Sequence, residues 1–174
     1  MNFPVPSVCA ISHFNRDTLN SRSQEQTEIL GECIGQRLIE PDIKFQFSTI
    51  ALLGRPCSGK TTLAKAIFNE ATKNCKVYNG EGRMSGHPTW QSGINNHFGI
   101  SISDHELVTR KNRPLPVLKQ NSCQIIEHLP QGLHAQCDAV IYFEKAGFYG
   151  RDINIYSNPK TLLGRSLQSV LTLA

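Results

Sequence analysis

The sequence predicts an α/β fold: a three-layer sandwich built on a mixed sheet, with helices on both faces. One observation behind this is a β-rich run, Phe45-Gln-Phe-Ser-Thr-Ile-Ala-Leu-Leu53, that ends apolar and reads as a buried strand. It is followed by Leu63-Ala-Lys-Ala-Ile-Phe-Asn-Glu-Ala71, a good helix former with Leu63, Ile67 and Ala71 on one face. A second observation is Cys123-Gln-Ile-Ile-Glu127, a short buried strand. The third is the pair Cys137–Phe143 and Asp152–Tyr156, two strands joined by a glycine-containing turn at Ala146 to Gly150. That connection is too short for a crossover, so the pair is antiparallel and the sheet mixed. With 174 residues, 39% of them hydrophobic and 18% charged, the chain matches one soluble domain with a substantial core, not a disordered segment.

Residues 1–22 are irregular, with Pro4 and Pro6, and read as a mobile arm or an edge strand. Residues 23–174 read as a single domain. It opens with Ser23-Gln-Glu-Gln26, a capping box in which Ser23 is the N-cap and Gln26 reaches back. Thr27, Leu30, Ile34 and Leu38 continue at helical spacing until Pro41, which is expected to stop the helix. Gly31 and Gly35 each cost about 1 kcal/mol against alanine in a helix, so they are expected to serve close packing against the sheet. A final helix is expected to start with Pro159 in its first turn and to carry Leu162, Leu163, Leu167, Val170 and Leu171.

Between the first strand and its helix lies Gly54-Arg55-Pro56-Cys57-Ser58-Gly59-Lys60-Thr61-Thr62, which fits GxxxxGK[ST] with Gly54, Gly59, Lys60 and Thr61 in register. Gly54 lets the chain leave the strand in a tight turn. The residues after it form a loop whose backbone N–H groups face inward, and Gly59 permits close approach to phosphate oxygens. The helix N-terminus adds a field that favours anions. Lys60 has the reach for β- and γ-phosphates, and the Thr61 hydroxyl suits Mg²⁺. Strand, glycine loop and helix together make residues 23–174 a P-loop NTPase-like nucleotide-binding domain.

The six cysteines, Cys9, Cys33, Cys57, Cys75, Cys123 and Cys137, include no CxxC pair. With a nucleotide-binding loop they read as reduced thiols of a cytoplasmic protein. Cys57 is either a reactive thiol near a helix N-terminus or a small loop filler. A net charge of +4 permits a nucleic-acid partner without demanding one. No apolar run reaches membrane-span length and no charged-then-apolar leader is present, so neither membrane insertion nor secretion is expected.

From Asn74 to Leu118 periodicity is lost. Val77-Tyr78 reads as a short strand. Gly80, Gly82, Gly86, Pro88, Gly93 and Gly99 then punctuate a stretch that holds Trp90, His97 and Asp104. Such a stretch is either a switch whose order depends on the γ-phosphate or a variable surface insertion. Glu127 closes the next strand. Beside a phosphate loop its carboxylate would hold Mg²⁺ or orient the attacking water; away from one it would be a solvated edge residue. The histidines show no ligand spacing, and no zinc site is expected.

No Asn-Lys-x-Asp reads guanine here and no Leu-Ser-Gly-Gly-Gln is present, while Arg110 and Arg113 leave a kinase lid open. The order of features resembles the TsaE (YjeE) family, the P-loop ATPase subunit of the bacterial tRNA threonylcarbamoyladenosine machinery. The resemblance runs through Ser23–Thr27, Leu30-Gly31, Leu38, Ile50–Gly54 and Ser58–Leu63. It continues through Ile125-Ile-Glu-His-Leu-Pro130, similar to the family's Ile-Glu-Trp-Pro, then Leu133–Phe143 and Gly150-Arg151. It implies ATP and ADP with Mg²⁺, Lys60 on the phosphates, Thr61 and Glu127 at the metal, and Arg151 near the nucleotide. Arg151 is otherwise a surface strand residue.

The departures from the family lie in the middle of the chain. His87-Pro88-Thr89-Trp90 stands for Ser-Pro-Thr-aromatic, and His97-Phe98-Gly99 stands for His-Phe-Asp. Gly99 therefore replaces the family's aspartate, with Asp104 five residues on, and His128 replaces its tryptophan. His128 and Trp90 are read as packing residues. Three functions follow: a slow ATPase serving protein partners of the threonylcarbamoyl-transfer complex and meeting tRNA only indirectly, a nucleotide-binding module that has lost hydrolysis with the aspartate, or a small-molecule kinase.

Overall fold

The computed structural model describes residues 3–44, 46–73, 90–92, 99–105, 122–145 and 150–172. Along β2 (Phe47–Gly54), Ile50 and Leu52 face one core while Ala51 and Leu53 face another. Apolar residues at both parities mark a central strand covered on both sides. Around it the chain forms β1 (Asn15–Ser21), α1 (Gln24–Leu38), α2 (Pro41–Lys44), α3 (Lys60–Thr72), β3 (Trp90–Ser92), β4 (Gly99–Asp104) and β5 (Ser122–Glu127). A 3₁₀ helix follows at Gln131–Gln136, then β6 (Ala139–Lys145), β7 (Arg151–Ser157), α4 (Leu162–Leu167) and a 3₁₀ turn at Val170–Thr172. The expected Val77-Tyr78 strand, His87 to Thr89, His97, Arg110 and Arg113 lie outside the described residues.

The sheet has the order β1-β7-β6-β2-β5-β4-β3. Strands β6, β2, β5 and β4 run parallel, and β7, β1 and β3 join by antiparallel pairing. The α/β class and the mixed sheet are therefore as the sequence predicts. One face carries α1, α3 and α4, whose Leu30, Ile34, Leu38, Leu63, Ile67 and Leu167 are fully buried. Each contributes about 1.5–3 kcal/mol of burial. On the other face the described residues show only part of the expected layer. Among the described residues it is formed by the N-terminal segment, through Ile11 and Phe14, and by Leu129 to Cys137 with its 3₁₀ helix, not by an α-helix.

Local chemistry accounts for the element ends. Ser23 Oγ accepts the Gln26 N–H at 3.2 Å, as the capping box requires. Gln26 reaches back one residue further than expected, to the Arg22 N–H. The first helix ends at Leu38, and Pro41 does not stop it but opens α2. There the fixed φ fits and the missing N–H has no partner to lose. Thr161, not Pro159, starts α4, its hydroxyl accepting the Gly164 N–H at 3.1 Å.

Gly31 and Gly35 pack against α3 and not against the sheet. A Cβ on Gly31 would lie 2.5 Å from Ala66 Cβ, and one on Gly35 would lie 2.8 Å from Glu70 Cβ. Both positions face backbone atoms of α3 that cannot yield. Gly31→Ala is therefore expected to destabilise the fold by about 1–3 kcal/mol despite alanine's better helix propensity. A urea midpoint equal to or above wild type would contradict this close contact.

His134, fully buried, pins the N-terminal segment: its Nδ1 accepts the Ser7 N–H at 3.3 Å and its Nε2 meets Leu129 O at 2.7 Å. Nε2 therefore carries the proton. Burial pushes the imidazole pKa below its ordinary 6.5, opposed by the bond to Leu129. As pH falls through 6.5 the unfolded chain takes up this proton first, so this contribution to stability is complete above 6.5 and declines below it. Burial raises Glu127 and Asp138, which act in the opposite sense. The measurement is accordingly the difference between wild type and His134→Gln in urea unfolding above and below pH 6.5. Wild type is expected to lose stability relative to the variant on the acid side, and parallel curves would refute the assignment.

Candidate functional site

The predicted loop sits at the carboxyl ends of the parallel strands, where open α/β sheets place their ligands. Gly54 ends β2 with φ +143°, and Gly59 precedes α3 with φ +106°. A Cβ on Gly54 would lie 2.9 Å from Phe143 O, so contact excludes a side chain there, whereas at Gly59 the positive φ, not space, disfavours one. Cys57, exposed at the loop's apex, adopts φ 60°. No side chain caps α3, so its first-turn N–H groups remain directed at the loop, a ready site for an anion. Lys60 Nζ lies inside the loop, donating to Gly54 O at 2.8 Å, Arg55 O at 2.6 Å and Ser58 Oγ at 3.3 Å.

Across from this ammonium stand two carboxylates. Glu127 ends β5 and pairs in register with Leu52 of β2 on one side and Asp104 of β4 on the other. Lys60, Asp104 and Glu127 are only 5%, 7% and 8% exposed. Thr61 Oγ1 and Glu127 Oε1 are 3.5 Å apart. Burial, then the neighbouring Asp104, push the Glu127 pKa up, against Lys60, His128 and Thr61. Burial pulls the Lys60 pKa down, against Glu127 and Asp104. Both charged forms are thus costly as they stand. An anion beside Lys60 together with a cation beside the carboxylates would relieve both. The hydroxyl and carboxylate oxygens of Thr61, Glu127 and Asp104 are hard donors that fit Mg²⁺.

Gly99 itself brings no carboxylate to the site, as the sequence expects, and Asp104, five residues on, does. Gly99 starts β4, paired with Ser122 at the strand's other end, five residues or about 17 Å from the site. Asp104 ends the strand, beside Glu127. The signal that could have found it is alternation: Ile100, Ile102 and Asp104 share one parity, and Ile100 and Ile102 point into the core under α1 and α3. His128, expected only to pack, is held by its N–H to Leu52 O at 3.0 Å and places Nδ1 3.0 Å from Asp104 Oδ1. Trp90 begins β3 opposite Ile102, away from the loop in sequence and strand order.

Arg151, at the start of β7, brings its guanidinium to the loop. Nη1 is 3.6 Å from where a Gly59 Cβ would be. Beside it opens a cleft of about 930 Å³ bordered by residues of the loop from Arg55 to Gly59, by Thr62, by the start of α1 at Ser23 and Gln24, and by Arg22 and Glu144. Its size suits a small-molecule ligand. The structure thus brings Gly54 to Thr62, Glu127 and Arg151 together and adds Asp104 and His128. Cys9, Cys33, Cys57, Cys123 and Cys137 are free thiols. Among the described residues, no helix is long and apolar enough to cross a membrane.

The fold resembles that of Bacillus subtilis YdiB. The crystal structure of that protein superposes with a TM-score of 0.60 over 91% of this chain and 96% of YdiB, at 13% sequence identity. At that identity the likeness speaks for the fold alone. No protein-family model matches the sequence, and no curated protein matches it.

Proposed function

We propose that this chain is a slow, Mg²⁺-dependent ATPase of the TsaE type that supports protein partners in tRNA threonylcarbamoyladenosine biosynthesis. The observation that carries the reading is the buried ammonium of Lys60 facing the paired carboxylates Asp104 and Glu127 across an uncapped helix N-terminus. Its support also includes the likeness in fold to YdiB and the order of sequence motifs. In this reading residues Gly54 to Thr62 hold the phosphates, Lys60 reaches the β- and γ-oxygens, and Arg151 lies near the nucleotide in the adjoining cleft. Thr61 and Glu127 hold the metal. A Mg²⁺ held there would supply positive charge for the phosphate oxygens. Asp104 orients the attacking water. The non-hydrolysing alternative rests on Gly99 in place of the family's aspartate; Asp104 beside Glu127 favours hydrolysis over it.

The test is calorimetric titration with ATP, ADP and GTP, with and without Mg²⁺, followed by phosphate release with and without candidate partner proteins. ATP and ADP binding strengthened by Mg²⁺, with turnover, is the expected result. Tight binding with no turnover under any condition would leave a binding module, and phosphate transfer to a metabolite would make the protein a kinase.

A further inference from the structure

His128 is a costly residue in its present form. Its φ of 60° lies in the left-handed region, uncommon for residues other than glycine, although histidine is found there more often than most side chains. Its Nε2 is buried with no hydrogen-bond partner among the described residues, a desolvation loss that native structures rarely tolerate. A glycine or asparagine there would relieve the backbone, and an apolar ring would remove the orphaned nitrogen. What the imidazole does make is the 3.0 Å contact from Nδ1 to Asp104 Oδ1. The ring also faces Phe3 of the N-terminal segment, with centroids 5.9 Å apart. Local costs at a residue one position from a site acid, offset by a single directed contact, are the pattern of a residue held for its geometry.

We infer that His128 is a positioning residue: its Nδ1–H fixes the Asp104 carboxylate beside Glu127, while Phe3 backs the ring from behind. The inference rests on the ATPase reading and deepens it. The pairing of β4 with β5 gives Asp104 its location, and the imidazole donor is one of the contacts that orient its carboxylate. The N-terminal segment thereby acts on the site through one ring contact, without touching the nucleotide.

The experiment compares wild type, Asp104→Asn, His128→Phe and His128→Asn. Phenylalanine keeps a ring against Phe3 but has no donor. Asparagine places an amide N–H near the position of Nδ1 and accepts the left-handed backbone. For His128→Phe, kcat is expected to fall about 10–100-fold, the usual effect of losing an outer-shell partner, with KM nearly unchanged. His128→Asn should restore most of the loss. Histidine ¹⁵N spectra should show His128 protonated at Nδ1, with the resonance displaced in Asp104→Asn. Normal turnover of His128→Phe beside a slow Asp104→Asn, or a proton on Nε2 instead of Nδ1, would overturn the inference while leaving the ATPase reading intact. Failure of asparagine to rescue in a variant that folds as wild type would also overturn it. No turnover by wild type under any condition would remove the ATPase reading, and the positioning role with it.

Discussion

Lys60→Ala is expected to lower ATP affinity by about 100-fold or more while the protein remains folded. The ammonium is almost wholly buried, and its charged form is held there against desolvation by Glu127 and Asp104. A charge-assisted hydrogen bond to phosphate is worth about 1.5–3 kcal/mol, and a lysine spanning two phosphates makes at least two, which sets the lower bound through about 1.4 kcal/mol per tenfold. Removing Nζ also frees the carbonyls of Gly54 and Arg55, at a cost of about 1–3 kcal/mol each if they find no water. A modest loss of stability should therefore accompany the loss of affinity. Binding is read by calorimetry and folding by far-UV circular dichroism. Wild-type affinity in a folded Lys60→Ala protein would mean that phosphates do not occupy this loop.

Asp104→Asn and Glu127→Gln are expected to separate turnover from binding. Each should bind ATP within about tenfold of wild type and hydrolyse it about 100- to 10,000-fold more slowly, the range associated with loss of a positioned acid–base group. The ligand-free proteins should move the other way. Glu127 is destabilised as an anion by its own burial and by Asp104, so neutralising either partner should raise Tm by about 2–4 °C, the shift that roughly 1 kcal/mol produces in a chain of this size. Slower catalysis together with a higher Tm is the signature of an acidic pair kept for function at the expense of stability. Turnover equal to wild type in Glu127→Gln would remove Glu127 from the reaction, and an unchanged or lowered Tm in both variants would contradict the repulsion.

How much of this could be read in the sequence depended on how local each signal was. The glycine loop is contiguous, and the strand and helix flanking it carry their own periodicities, so Gly54 to Thr62 was legible without any tertiary information. Glu127 was legible because it closes a clear strand, and Arg151 only through resemblance. Asp104 was legible only as a substitute for the aspartate missing at Gly99, because its place beside Glu127 is set by pairing between β4 and β5, across a sequence separation of 23 residues that no local pattern spans. β1 was legible only as one of two alternatives, an edge strand or a mobile arm. Its sequence Asn-Arg-Asp-Thr-Leu-Asn-Ser is polar, and it is a strand because β7 offers an edge in register, with Thr18 and Arg16 bonding Asn154 at 2.7 and 3.1 Å. Gly31 and Gly35 showed that something approaches closely; which element does so was a matter of layering. The part that the N-terminal segment plays in the second outer layer was not legible for a related reason: an irregular stretch carries no periodicity, yet it covers a sheet face when Ile11 and Phe14 point inward.

The contact of Gly31 with Ala66 also bears on stiffness. Helix α1 begins at one wall of the cleft, and α3 begins at the phosphate loop. Where two helices meet through long side chains, rotamer changes let them slide; where backbone rests on backbone, no such slack exists. The two helix starts therefore keep a fixed spacing, and a nucleotide would enter a receptacle of set width. Little ordering entropy would be lost on that side, and any closing motion must come from elements other than this pair of helices.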